Sequence, residues 1–174
     1  MTMIEKGRDE RLAEAVALRG AGEREQARQS LVALSAEFPA DAEVAYQTAW
    51  AHDVLGLEAE AVPFYELALA GDGLDGLDGL SDEDRRGAFL GYGSTLRGLG
   101  RYPEAVEVFR RGIAEFPEDN ALRTFSAMAL YNVGEHHEAM RTLLEVLAAT
   151  SSDAGVQGYR AAIEHYAKDL DAVE

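Results

Sequence analysis

Residues 96–117 read Leu96-Arg97-Gly98-Leu99-Gly100-Arg101-Tyr102-Pro103-Glu104-Ala105-Val106-Glu107-Val108-Phe109-Arg110-Arg111-Gly112-Ile113-Ala114-Glu115-Phe116-Pro117. The stretch is the end of one helix, a tight turn at Gly100, and a second helix that is apolar on one face. Pro117 stops it, since proline lacks a backbone N–H and restricts the residue before it. The same pattern occurs three more times. Gly22, Gly56, Gly100 and Gly134 mark the turns, and Ala27, Ala61, Ala105 and Ala139 follow five residues later. Four further on stand Leu31, Tyr65, Phe109 and Leu143, and twelve past the alanine come Pro39, Gly73, Pro117 and Ser151. The glycines are 34, 44 and 34 residues apart, a 34-residue period interrupted by ten extra residues.

Each position has a physical task. The glycine ends a helix with positive φ, which other residues resist. The alanine lets two helices cross closely. The large residue four later shares its face and is expected in the core. This spacing resembles the tetratricopeptide repeat, a 34-residue helix-turn-helix unit with the signature Trp-x2-Leu-Gly-x2-Tyr, Ala-x3-Phe and Pro. The second half of the signature is kept well: the alanine and a large apolar residue four later stand in all four units, and the proline in two. The first half departs: the Trp position holds Arg11, Ala45, Phe89 and Arg123, and the Tyr position holds Leu18, His52, Leu96 and Leu130. The small position is kept as Ala15, Ala49, Gly93 and Ala127. The resemblance covers residues 8–151 and implies an all-α fold: a right-handed superhelical α-α solenoid of four hairpins closed by a C-terminal capping helix.

Composition narrows the function. The 174-residue chain is 47% apolar, enough for a packed core. It has no cysteine, so disulfides and thiolate metal sites are excluded. A net charge of −16 argues against nucleic acid and is compatible with a basic partner segment, as well as with a simply well-solvated acidic surface; an apolar partner segment would answer instead to the largely apolar groove lining named below. No apolar run reaches the length of a membrane span, and residues 1–10 lack an apolar signal core; the expected location is the cytoplasm.

One domain is expected over 1–174, with repeats at 8–40, 41–70, 82–118 and 119–150, an acidic glycine-rich insertion at 71–80 and the capping helix at 153–170. Asp41 and Ser81 read as helix N-caps. Pro63 predicts a late start or mild bend in the fourth helix. The insertion repeats Gly-Leu-Asp. Asp72, Asp75 and Asp78 could offer oxygens to calcium, but their spacing fits no calcium loop, so no metal is assigned. His136 and His137 are adjacent and point about 100° apart on a helix, a poor chelating pair. The third unit's first helix carries Gly87, Gly91 and Gly93. Gly93 reads as close packing; Gly87 and Gly91 fit either packing or a groove floor opened for a ligand backbone.

No nucleophile elbow, phosphate loop, zinc-protease motif or dinucleotide fingerprint is present, so neither a catalytic site nor a cofactor is assigned. The resemblance implies instead a concave face lined by the first helix of each hairpin. Counting the fifth, ninth and twelfth positions gives Leu12, Val16 and Arg19; Tyr46, Trp50 and Asp53; Leu90, Ser94 and Arg97; Thr124, Met128 and Tyr131. Tyr159 and His165 border it. Neither lysine falls at a groove position, so the carboxylate clamp of the family's chaperone cofactors is not expected. The reading is a non-enzymatic adaptor that binds a protein or peptide in this groove. The alternative is self-association through the same surface or the C-terminal helix.

Overall fold

The structure, a computed structural model, describes residues 7–71 and 79–171. The calcium reading of Asp72, Asp75 and Asp78 and most of the insertion lie outside the described residues. All regular structure among the described residues is helical: α1 (Arg8–Gly20), α2 (Arg24–Glu37), α3 (Ala42–Asp53), α4 (Glu58–Ala68), α5 (Asp82–Gly98), α6 (Tyr102–Glu115), α7 (Asn120–Asn132), α8 (His136–Thr150), α9 (Ala154–Gly158) and α10 (Arg160–Tyr166). None of these helices is long and apolar enough to cross a membrane.

The four corner glycines are the described residues with positive φ, from +72° at Gly56 to +88° at Gly22 and Gly134. Each lets the next N–H reach back five residues: Glu23 to Leu18 O, Leu57 to His52 O, Arg101 to Leu96 O and Glu135 to Leu130 O, at 2.9–3.1 Å. These are Schellman closures, which satisfy carbonyls the helix end would orphan. The opposite corners start with carboxylate or hydroxyl caps. Asp41 accepts from the Val44 N–H at 2.9 Å, Ser81 Oγ from Asp84 N–H at 3.1 Å, and Asp119 from Ala121 and Leu122. The fourth helix starts at Glu58 and runs through Pro63, so the late start does not occur.

Each hairpin packs on the next. The first helices α3, α5 and α7 also pack on one another, whereas α2, α4, α6 and α8 do not do so to a comparable extent. An array tighter on one side bends toward that side, which makes the first-helix face the inner wall. The core runs along the array. Ala27, Ala61, Ala105 and Ala139 are buried at the crossings, with Leu31, Tyr65 and Phe109 beside them. Leu143 departs from the register: it is 37% exposed, because α9 and α10 cover α8 only in part.

The glycines of α5 have a packing role. A Cβ at Gly87 would sit 2.2 Å from the Tyr46 hydroxyl, one at Gly91 2.2 Å from the Tyr65 hydroxyl, and one at Gly93 2.5 Å from Phe109 Cζ. Large rings of neighbouring helices fill these gaps, so the groove-floor alternative for Gly87 and Gly91 does not hold.

The expected capping helix is two short helices. The chain breaks at Tyr159 (φ −110°, ψ 11°), and Gly155 and Gly158 stand where α7 has Ala121 and Thr124. Glycine weakens a helix interior, which accounts for the interruption. α10 packs on α8, and no residue of α9 or α10 is fully buried.

Candidate functional site: the inner face

The inner face is built by α1, α3, α5 and α7. At its centre Trp50 is 42% exposed. Tyr46 stacks on its ring with centroids 5.9 Å apart, and the Arg19 guanidinium carbon lies 3.7 Å from the ring centroid. Arg19 is held in place by Gln47, whose side-chain oxygen accepts at 2.7 Å and whose carbonyl accepts at 3.3 Å. Burial lowers the Arg19 guanidinium from its ordinary pKa, yet the group remains a cation in water. The indole is thus a fixed, solvent-facing platform with a cation–π partner.

Deeper along the face, Asp53 is tied between units. Its carboxylate accepts from Tyr65 Oη at 2.6 Å and from Thr95 Oγ1 at 2.9 Å. Burial raises its pKa, against the opposing pull of these two hydroxyls. Burial and the Asp53 charge together push the Tyr65 phenol up. Next along, Arg97 Nε donates to Asn132 Oδ1 at 2.8 Å. Arg19, Asp53 and Arg97 occupy one register position, so the same site in three units holds the next first helix through Gln47, Thr95 and Asn132. Tyr131, the fourth occupant, makes no such tie among the described residues and is 64% exposed, its ring 4.7 Å from that of His136. With Arg97, Ala127, Met128, His136, Ala139, Met140 and Leu143 it lines an apolar cleft of about 270 Å³.

A family model described as Tetratrico peptide repeat matches residues 42–170. The chain belongs to the tetratricopeptide repeat family. Solved structures of similar fold include "MamA 41-end from Desulfovibrio magneticus RS-1" (15% identity, TM-score 0.71, covering 96% of this chain and 89% of that one). "Crystal structure of MamA protein" follows at 16% identity and TM-score 0.69, covering 97% and 80%. "Crystal structure of APC/C hetero-tetramer Cut9-Hcn1" matches at 16% identity and TM-score 0.70, covering 92% of this chain and 29% of that one. A search of curated proteins returns no match. At these identities the solved structures bear on the fold alone.

The tetratricopeptide register sorts the sequence-predicted residues into three groups. Trp50, Met128 and Tyr131 are exposed on the inner face. Leu90, Ser94, Arg97 and Thr124 are half-buried there, with Val16 and Arg19. Leu90 leans on the core and Thr124 Oγ1 donates to Asn120 O at 2.6 Å. Leu12 and Tyr46 are corrections. Leu12 is buried with Ala15, Leu31, Leu34, Val44 and Ala51, because α1 turns this position into the seam with α2 and α3. Tyr46 is buried against Gly87, and only its ring face supports Trp50. Asp53 is committed to Tyr65 and Thr95 and acts as a structural tie.

Counting positions misses Gln47, Thr95 and Asn132, the receiving ends of the ties. Their partners Arg19, Asp53 and Arg97 recur at the twelfth position, but nothing local to Gln47, Thr95 or Asn132 marks them. The two adjacent histidines diverge: His136 faces Tyr131, and His137 Nε2 lies 3.5 Å from Asp171 Oδ2. Among the described residues no group of three or more histidine, aspartate or glutamate side chains could hold a metal ion.

Proposed function

We propose that this tetratricopeptide repeat protein is a non-enzymatic scaffold that takes a protein or peptide segment along its inner face. The reading rests on Trp50: a large apolar ring left exposed between Tyr46 and Arg19, on the side toward which the array curves. Aromatic residues held rigid in this way are characteristic anchors of interface cores. Met128 and Tyr131 extend the apolar surface toward the C-terminal end, with Ser94 and Thr124 as polar contacts between. The net charge of −16 favours a segment with apolar anchors flanked by basic residues. The cytoplasm is the compartment consistent with this reading.

Trp50 is also the reporter, being the sole tryptophan. Peptides selected from a random library on the folded protein should shift its fluorescence and contain an apolar residue beside lysine or arginine. Trp50→Ala should weaken them about tenfold or more, as loss of an interface anchor does. Selected peptides that bind Trp50→Ala and Met128→Ala undiminished would place the contact elsewhere and overturn the reading.

A further inference from the structure

We propose that two copies of this chain associate tail to tail through the open C-terminal face of α8, forming a closed dimer. Met140 and Leu143 also line the cleft beside Tyr131, but the inference does not need the inner-face reading above, which rests on Trp50. The inference rests on comparing the same register position in successive units.

Met140, Leu143 and Leu147 lie on one face of α8, three and four residues apart. Their counterparts in the third unit are Val106, Phe109 and Ile113, and in the second Val62, Tyr65 and Leu69. Five of those six are buried, and Ile113 packs against the core. On α8 the three positions are 49%, 37% and 42% exposed. In the inner units a following first helix covers this face. Here the segment in that place is α9 and α10, broken at Tyr159 and touching α8 only in part. Tyr159 and Tyr166 add their own exposed rings, and Leu170 stands at 38%. Among the described residues, nine of the twelve exposed large apolar side chains fall from Met128 to Leu170, Met128 and Tyr131 being those of the inner face. A clustered apolar surface of this kind marks an interface.

The other end of the array shows which surface meets it. On α1 the positions that would face a preceding unit are Glu10, Ala13, Glu14 and Ala17, corresponding to Leu122, Phe125, Ser126 and Ala129 of α7. That end is acidic and small. A head-to-tail filament would bury Met140, Leu143 and Leu147 against carboxylates, which costs their desolvation. Apolar end against apolar end avoids this, and a surface that meets itself on a two-fold axis closes at two copies. Charge permits the pairing. Residues 120–171 carry seven acidic and four basic side chains, whereas residues 7–71 carry twelve and five. Around the α8 face the signs alternate, with Arg141 on Glu138 at 2.5 Å and Arg160 on Glu164 at 2.7 Å. Such a rim is balanced in sign, so charge repulsion does not oppose the approach of a second copy.

Sedimentation velocity on the full chain over a wide concentration range should show a monomer–dimer equilibrium. Met140→Glu and Leu147→Glu, each with an unchanged circular dichroism spectrum, should weaken it at least about tenfold. Trp50→Ala should leave it unchanged. The chain has no cysteine, so single cysteines report geometry directly. Under mild oxidant Met140→Cys or Leu147→Cys should form covalent dimers, and Ala13→Cys should not, alone or mixed with Met140→Cys. The cysteine variants decide the matter if the glutamates prevent folding. A monomer at all concentrations, a dimer that survives both glutamates, a failure of both α8 cysteines to link, or a link between Ala13→Cys and Met140→Cys would each overturn the proposal.

Discussion

Tyr65 and Gly91 are fitted to each other across two units: the Tyr65 hydroxyl oxygen lies 2.2 Å, and its Cζ 2.7 Å, from where a side chain at position 91 would begin. The ring cannot swing aside without cost. Its hydroxyl donates to Asp53 at 2.6 Å and its face stacks on Tyr92 with centroids 5.8 Å apart.

Gly91→Ala therefore reverses the usual benefit of replacing a helical glycine. Overpacking against a pinned ring should destabilise the protein by about 1–3 kcal/mol. Gly98→Ala, at the end of the same helix with nothing within 4 Å, should instead stabilise it by about 0.4–1 kcal/mol. Urea denaturation of the two variants beside wild type checks the opposite signs.

Phe109 and Leu143 share a register position but not an environment. Phe109 is fully buried against Gly93, so Phe109→Ala should cost about 3–5 kcal/mol. Leu143→Ala, on the partly open face of α8, should cost about 1–2 kcal/mol. Equal losses in chemical denaturation of dilute protein would mean that α8 is covered after all.

Thr95→Val removes one of the two hydroxyls that hold the half-buried Asp53 carboxylate. The loss should be about 1–3 kcal/mol, the cost of leaving such a group short of a partner. A double-mutant cycle with Asp53→Ala should give a strongly non-additive result, since both changes cut one tie. Additivity would show that the tie contributes nothing.

Asp41 and Asp53 should pull stability in opposite directions as pH falls. Burial pushes Asp41 up, but the paired bonds from Arg8 at 2.7 and 2.8 Å and the Val44 N–H outweigh it, so its pKa lies below the ordinary value. Its contribution is present above the unfolded pKa and is lost as pH drops through the lower folded value. Asp53 is raised by burial, so the folded state holds its proton more tightly than the unfolded chain. Its contribution therefore improves as pH falls through the raised value. Across the carboxylate range, wild type should lose stability on acidification relative to Asp41→Asn and gain it relative to Asp53→Asn. Thermal melts of the three proteins over that range test both signs.

The fold was legible because its determinants are local. A glycine corner, an alanine four residues before a large side chain and an Asp41 or Ser81 cap each act within one or two turns. Repetition then multiplies a weak signal. Of the residues picked by position counting, Trp50, Met128 and Tyr131 are exposed. Counting failed where the answer depends on a neighbour far along the chain. Leu12 turns into the seam with α2 and α3, and Leu143 is left open because α9 and α10 cover α8 only in part. Nothing near Gly87 or Gly91 says that rings from α3 and α4 will fill them. Asp53 looks like a groove acid until Tyr65 and Thr95, twelve and forty-two residues away, are seen to claim it.

The three ties along the inner wall also fix the order of the units. Gln47 receives Arg19, and its counterparts are Gly91 and Phe125; Thr95 meets Asp53, and its counterparts are Ala51 and Ala129; Asn132 receives Arg97, and its counterparts are Val54 and Gly98. Each fastening has a mate on one neighbour only. A gene that deleted, duplicated or exchanged a hairpin would preserve the helices and still leave a charged hook without its eye, so these modules, though built to one plan, are not interchangeable.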